Sequence, residues 1–461
     1  MSDERMNSLQ GDPDLFIRIA ENALTVAEEL REDYFKSTLG LAREMREEFR
    51  AGVDTYRLRK LPQTEVAPCA VAFIDGGLSR IDVGLAVPLI VRAGIFRVKP
   101  GDPNPETRET FDHFPLMLGQ LRGGLKADRD YGDVVRTIVE LGALITALED
   151  RERFGDVGFV MVHGPLQFVS GAFFEHWFFL DDYAQMLGSS EHRPHVQPIL
   201  AGVEEWCTRC TARGRQDCGD VSDAHRRVSA VCMLAYLQHY AREKAALHGV
   251  TLCGAIERSF GRSITKHVVA SLLQSKPQLF TRLLGALEIE GRANAAQVDA
   301  ILDATRYNDP TLLALAMERG EYLDWYPMDP LSRMRDRDPR VQLFPKVQSA
   351  FVRTSNARYP MRLEAPAEYS SAQLDEILVR AADYAALLPN YAFPIGLDIV
   401  DKYAAIPGWM TKAYKHLIMQ QYGRILAGEY VEMTDVDALK DFAVFGGNNG
   451  RSKKTRPEAV K

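Results

Sequence analysis

Apolar and polar positions alternate with two different periods along this chain, and the switches between them divide it into segments. Residues 14–52 carry helical spacing, with Leu15, Ile19, Leu24, Ala27, Leu30, Leu39, Leu41 and Met45 interleaved with charges. A recurrence of three to four residues puts such side chains on one stripe, which predicts one or two amphipathic helices that pack on a core or bind a partner. From about 69 to 98 the pattern turns to short apolar runs. Cys69–Ile74, Arg80–Val91 and Ile95–Val98 read as strands of an antiparallel meander, separated by Gly76-Gly77 and Arg92-Ala93-Gly94 and opened by Pro68. Residues 99–128 are polar and loop-like. Asp133 to Arg151 then reads as a helix, with Val134, Ile138, Leu141, Ile145 and Leu148 at helical spacing.

Further on, Phe159–Val162 is a short buried strand closed by His163-Gly164-Pro165-Leu166, and residues 172–225 look irregular. A helix from about Ser229 to His248 precedes the strand Val250–Ile256. Helices are predicted at roughly 264–275, 278–287, 296–304 and 310–318, a strand pair at Phe351–Thr354 and Arg358–Glu364, and helices at 371–388 and 408–427. Strands first, then helix, strand, helix, strand, is a mixed α/β or α+β pattern.

Composition narrows the class. With 461 residues, 46% hydrophobic and 26% charged, the chain has the make-up of a soluble globular protein of one large domain or two to three ordinary ones. No apolar stretch is long enough to span a bilayer; Leu85–Phe96 is too short and contains Arg92. The start Met1-Ser2-Asp3-Glu4-Arg5 lacks the apolar core of a secretory signal, so a cytoplasmic protein is expected. A net charge of −7 excludes a polycation that coats nucleic acid but leaves room for a local basic groove. The tail after Phe445, with Arg451, Lys453, Lys454, Arg456 and Lys461, reads as a solvated end able to touch phosphates. No Walker-type loop, Gly-x-Ser-x-Gly elbow or His-Glu-x-x-His helix occurs, so ATP hydrolysis, serine hydrolase and zincin chemistry are not expected.

The candidate chemistry starts at Asp75, which ends the run Ala70–Ile74 ahead of Gly76-Gly77. A carboxylate at a strand end beside a glycine turn can hold a hard divalent cation, although Asp-Gly also ends many strands with no such role. Of six cysteines, Cys69, Cys232 and Cys253 lie in apolar segments and read as small buried hydrophobes. Cys207-Thr208-Arg209-Cys210, with Cys218 and His225, fits a structural Zn2+ site; the alternative is three thiols in a loop insertion. Arg209, Arg213 and Arg215 would ride on that knuckle.

Several segments, taken in order, resemble the NurA nuclease domain, an RNase H-like fold, over about residues 65–430. They are the strand ending Asp75-Gly76-Gly77; a helix with Arg136 and Val139-Glu140-Leu141; and the strand ending Val162-His163-Gly164-Pro165-Leu166. They continue with His248-Gly249-Val250 to Ser259, Asn308-Asp309-Pro310 to Arg319-Gly320-Glu321, Arg362-Leu363-Glu364-Ala365-Pro366, and Phe393-Pro394-Ile395-Gly396-Leu397 to Asp401-Lys402. The resemblance implies an α/β, RNase H-like mixed sheet flanked by helices. Around it stand an N-terminal helical segment (1–64), an insertion at 181–228 and a C-terminal extension (431–461).

The same resemblance implies a nuclease using Mn2+ or Mg2+ that resects DNA ends, a homodimer docked on a hexameric HerA-type ATPase, and in some bacteria antiphage defence. It makes Asp75, Glu140, His163 and Asp401 the catalytic and metal-binding set. Glu149 is the reserve for Glu140, and Asp398 for Asp401. His163 stands where the family has a metal-binding Asp, Asp401 where it has its C-terminal His, and Phe393 where it has a Tyr. A paired exchange would keep one imidazole and the full carboxylate count, favouring manganese or zinc over magnesium; without it the protein would be a silent DNA-binding scaffold of the ATPase. Arg258, Lys266 and Arg362 are the candidate phosphate contacts.

Overall fold

The computed structural model describes residues 13–29, 31, 36–52, 56–81, 89–104, 109–113, 117–119, 125–167, 176–180, 196–212, 218–222, 226–281, 295–328, 339–356, 359–388 and 390–429. His225, Arg213, Arg215, most of the helix expected at 278–287 and the basic tail lie outside the described residues.

The strands are β1 (Leu58–Lys60), β2 (Ala70–Arg80), β3 (Leu89–Val98), β4 (Glu109–His113), β5 (Met117–Gly119), β6 (Val157–His163), β7 (Trp177–Phe179), β8 (Gly219–Asp220), β9 (Arg227–Ser229), β10 (Thr251–Ile256), β11 (Glu321–Met328), β12 (Val347–Arg353) and β13 (Met361–Pro366). The helices are α1 (Pro13–Glu29), α2 (Lys36–Ala51), α3 (Leu125–Glu149), α4 (Arg151–Phe154), α5 (Val196–Ala212), α6 (Ala230–Leu247), α7 (Ser263–Ser275), α8 (Ala295–Thr305), α9 (Asp309–Ala316), α10 (Ser371–Ala386), α11 (Ile395–Ala404) and α12 (Gly408–Glu429).

Among the described residues, ten strands form one sheet in the order β1-β11-β12-β13-β10-β6-β2-β3-β4, with β5 also on β3. β2, β6 and β10 run parallel, and β3 returns antiparallel to β2. Taking β2, β3, β4, β6 and β10 as successive strands, their spatial order is 3-2-1-4-5, the RNase H-like arrangement. β10, β13, β12, β11 and β1 then extend the sheet through antiparallel pairs.

Period-two alternation assigns the two faces of β2. Ala72 and Ile74 pack with Ile138, Ile145 and Leu148 of α3 and with Leu234 and Leu237 of α6. Val71 and Phe73 pack with Leu378 and Ala381 of α10 and with Leu397 and Val400 of α11. A third core joins Met45 of α2, Val269 of α7, Ile301 of α8 and Leu313 of α9 to Leu323 of β11 and Phe351 of β12. Burying each large apolar side chain contributes about 1.5–3 kcal/mol, so helices on both faces are needed to close this sheet. α10 starts on a capping box in which Ser370 and Gln373 satisfy each other's backbone N–H groups.

Four expectations are corrected. The first strand does not stop at Asp75 but runs on through Gly76 and Gly77 to Arg80, and Leu89–Val98 is one strand rather than the ends of two. An uninterrupted ladder, with Asp75 opposite Gly94, Gly76 opposite Ala93 and Gly77 opposite Arg92, outweighs the local turn preference of glycine. Within 99–128, expected to be a loop, lie β4, β5 and the start of α3. The stretch 172–225, expected to be irregular, contains α5 and the strands β7 and β8, which pair on either side of β9 just beyond it. Ile199, Val203, Cys207 and Cys210 share one buried stripe of α5, a helical period that the surrounding polar residues obscured.

Candidate metal centre

Register sets up the site. β2 and β6 are parallel, with Ile74 opposite Val162, so the next residues along, Asp75 and His163, are neighbours across the two strands. Both project to the α11 side, where the ring of His163 lies 5.3 Å from that of Phe393. His163 Nδ1 is 2.7 Å from Asp75 Oδ2, and the Gly76 N–H donates to Asp75 Oδ1 at 2.7 Å. α11 brings Asp401 over the same spot. Ligand atoms of Asp75, His163 and Asp401 all lie within 4.8 Å of one another, the one such group of three or more acidic, His or Cys side chains among the described residues. Asp75 is buried, His163 half-buried and Asp401 exposed at the rim.

The two glycines make this approach possible from both sides. A Cβ on Gly76 would sit 2.5 Å from the Glu140 side chain, and a Cβ on Gly77 would sit 2.0 Å from the Ala404 carbonyl oxygen. Gly76 thus admits Glu140 of α3 against one face, and Gly77 admits the C-terminal turn of α11 against the other. Glu140 is held by Arg136, one helical turn earlier, at 2.8 Å.

The site is over-supplied with negative charge. Burial pushes the Glu140 carboxyl up to about 7, and the Asp75 charge adds to this against the pull of Arg136. Asp401 is raised from the carboxylate range by partial burial, then by the Asp75 charge and a hydrogen bond between the two carboxyl groups. Burial works against a charged His163 ring, yet the hydrogen bond and charge of Asp75 outweigh it and raise His163 above its usual value. Carboxyl groups this close need a proton or a cation between them. Two carboxylates and an imidazole, with a third carboxylate against the strand, fit a divalent first-row metal.

The centre lines a cavity of about 490 Å³ together with Gly76, Arg136, Glu140, Gly164 and Arg258. It opens at the carboxyl-terminal ends of parallel strands, where open α/β sheets bind ligands. The other sequence candidates fall elsewhere. Glu149 accepts from Tyr240 at 2.9 Å and pairs with Lys244 at 2.8 Å, away from the cavity lining. Asp398 is held by Lys402 and by the Tyr391 hydroxyl, and Lys402 first, despite some burial, keeps it below the usual carboxylate range. Lys266 pairs with Asp299 at 2.6 Å and lines neither this cavity nor its neighbour. Arg362 donates to Glu364 at 3.0 Å and to Ser259 at 3.1 Å. Cys207, Cys210 and Cys218 are buried in the α3–α6 core, and burial pushes the Cys207 thiol up to about 12.

Two cavity residues escaped the sequence reading, Gln238 and Arg242 of α6. Gln238 Oε1 and one terminal Arg242 nitrogen are buried without a hydrogen-bond partner. The signal available was two polar residues on the buried face of an otherwise apolar helix.

No protein-family profile matches the chain, and no curated protein matches it in sequence. Among solved structures it is similar to the NurA nuclease from Sulfolobus solfataricus, at 14% identity and a TM-score of 0.46, over 90% of this chain and 97% of that one. It is also similar to NurA bound to dAMP and manganese, at 13% identity and a TM-score of 0.35, over 83% of this chain and 91% of that one. Human ENDOV is a third, at 11% identity and a TM-score of 0.29, over 79% of this chain and 96% of that one.

Proposed function

We propose that this chain is a metal-dependent deoxyribonuclease that works with a HerA-type hexameric ATPase, as a homodimer and in the cytoplasm. The observation that carries the reading is the convergence of Asp75, His163 and Asp401 within 4.8 Å on the wall of a cavity that Arg136, Arg242 and Arg258 also line. The ordered segments that resemble NurA support the same reading and suggest Mn2+ as the metal, with DNA end processing or antiphage defence as the setting. Among the described residues no helix is long and apolar enough to cross a membrane.

Asp75, His163, Asp401 and Glu140 would hold the metal, which when bound polarises the scissile phosphate and lowers the pKa of the attacking water. Asp75 is fixed by the Gly76 N–H and by His163 Nδ1, so it meets substrate already oriented. Arg136 positions Glu140 and offsets part of its charge. Arg242 and Gln238 offer a donor and an acceptor with unmet capacity to the phosphate and the nucleotide. Arg258, exposed at the rim, would neutralise the next phosphate along the strand.

The test is cleavage of linear duplex and single-stranded DNA in manganese, magnesium or EDTA, by wild type and Asp75→Ala, alone and with the ATPase. Manganese-dependent cutting that disappears in Asp75→Ala supports the nuclease. DNA binding without cutting under any condition replaces it with a silent scaffold, and the His163 and Asp401 exchange becomes the reason.

A further inference from the structure

Beside the metal-centre cavity lies a second groove of about 770 Å³, and Glu257 and Arg258 belong to the walls of both. Its lining includes Phe260 and Tyr359, which are 83% and 56% exposed. Singly exposed apolar side chains are ordinary, but here two exposed aromatic rings line the same groove, and such a grouping marks an interaction surface.

Phe260 is not exposed through looseness. It sits between β10 and α7 on a segment pinned on either side. The Ser259 hydroxyl takes a hydrogen bond from Arg362 at 3.1 Å, and the Gly261 carbonyl accepts from the Asp309 N–H at 2.9 Å. Tyr359 stands just ahead of β13, where Met361 is buried and paired with Val352. Two rings are thus presented to solvent from anchored backbone. The groove is also lined by the neutral polar residues Asn308, Thr311 and Asn356, the first two joined in the cap of α9, and its charged members are Arg258, Arg353 and Glu257.

We infer that this groove binds single-stranded DNA, with unpaired bases stacked on Phe260 and Tyr359 and the backbone led past Arg258 into the metal centre. The inference rests on the nuclease reading and adds the strand state of its substrate. Aromatic faces can stack only on bases that are not already stacked in a duplex, and every base has such a face. Continuity with the acidic cluster through Arg258 favours a nucleic-acid strand over a peptide, because a cation leading to a cluster of carboxylates suits a polyanion that must reach a metal.

The experiment uses the full chain and a fluorescent twenty-residue oligo-dT, with a blunt duplex of equal length as comparison. Affinity is read by anisotropy in EDTA and again in calcium, for wild type, Phe260→Ala, Tyr359→Ala, the double variant and Phe260→Trp. Hydrolysis of bis(4-nitrophenyl) phosphate in manganese, which needs only the metal centre, is measured in parallel. The expected result is single-strand binding weakened roughly tenfold by each alanine, retained by Phe260→Trp, with duplex binding less affected. Turnover of the small diester and thermal melting should stay at wild-type values. No single-strand binding by the wild type, or an unchanged affinity in the double variant, overturns the groove assignment. Aromatic-dependent binding of a labelled peptide instead of DNA also overturns it. If the aromatics govern single-strand binding but no diester is hydrolysed, the groove stands and the nuclease reading falls.

Discussion

The Nδ1 atom of His163 lies 2.7 Å from Oδ2 of Asp75, across two parallel strands whose register leaves these residues side by side. An imidazole therefore occupies the place next to the central carboxylate. An imidazole ligand suits manganese better than magnesium, which prefers oxygen. His163→Asp should raise the ratio of magnesium-supported to manganese-supported cleavage by about tenfold. Unchanged activity in both metals would remove His163 from the ligand set.

The metal-free protein should lose stability as pH rises towards neutrality. Folded Glu140 keeps its proton up to about pH 7, whereas the unfolded group releases it near 4.5, the ordinary value of a glutamate. Its contribution is thus fully present below that lower value and is lost as pH climbs through 7. His163, also raised, acts in the same direction. The Glu140 part amounts to about 3 kcal/mol. Melting in EDTA should therefore fall between pH 5 and 8, and manganese should restore it most at the alkaline end. Glu140→Gln should flatten the profile, and a pH-independent melt of the wild type would refute the charge crowding at this site.

Gly77→Ala should both destabilise the fold and silence the site. The new methyl would meet the Ala404 carbonyl at 2.0 Å, so α11 must move and take Asp401 with it. A cost of about 1–3 kcal/mol is expected from such overpacking, with cleavage reduced more than the melt suggests. Gly40→Ala is the contrast. Nothing lies within 4 Å of its Cβ position in α2, so it should leave activity alone and add about 0.5–1 kcal/mol. Equal melting temperatures for the two variants would be incompatible with the packing of α11.

Arg362→Ala should act on stability before it acts on DNA. Its guanidinium is the partner of Glu364, which is fully buried and whose carboxyl is raised chiefly by that burial. Removing the cation strands that carboxylate at a cost of about 3–5 kcal/mol. It also frees Ser259 and the segment carrying Phe260, so single-strand affinity should drop with the melt. A normal melting temperature with weakened DNA binding would instead make Arg362 a direct phosphate contact.

Much of this was legible along the chain. Apolar runs and helical stripes found the core strands around Phe73, Phe159 and Leu252 and the helices from Asp133 and Ser229, because each buries a repeating face that the alphabet of side chains cannot hide. β11 was missed, since Glu321, Asp324 and Trp325 break its alternation at a register shift opposite β12. Ile395–Ala404 was not foreseen as a helix either; Pro394 and Gly396 disguise an element whose stability comes from packing on β2 and β3, where Gly77 lies against Ala404 and Gly94 against Val400.

The sequence by itself determined that an acidic residue, Asp75, follows an apolar strand, and that His163 closes another. Periodicity and residue chemistry are local properties, and both residues were visible on those terms. Only the tertiary structure decided that these two strands are parallel neighbours, and that α11 lies close enough across Gly77 to add Asp401. It alone decided that Phe260 and Tyr359, nearly a hundred residues apart, share one groove. Those relationships depend on register and on contacts between distant segments, which a linear pattern does not encode and a closed core fixes to within an ångström.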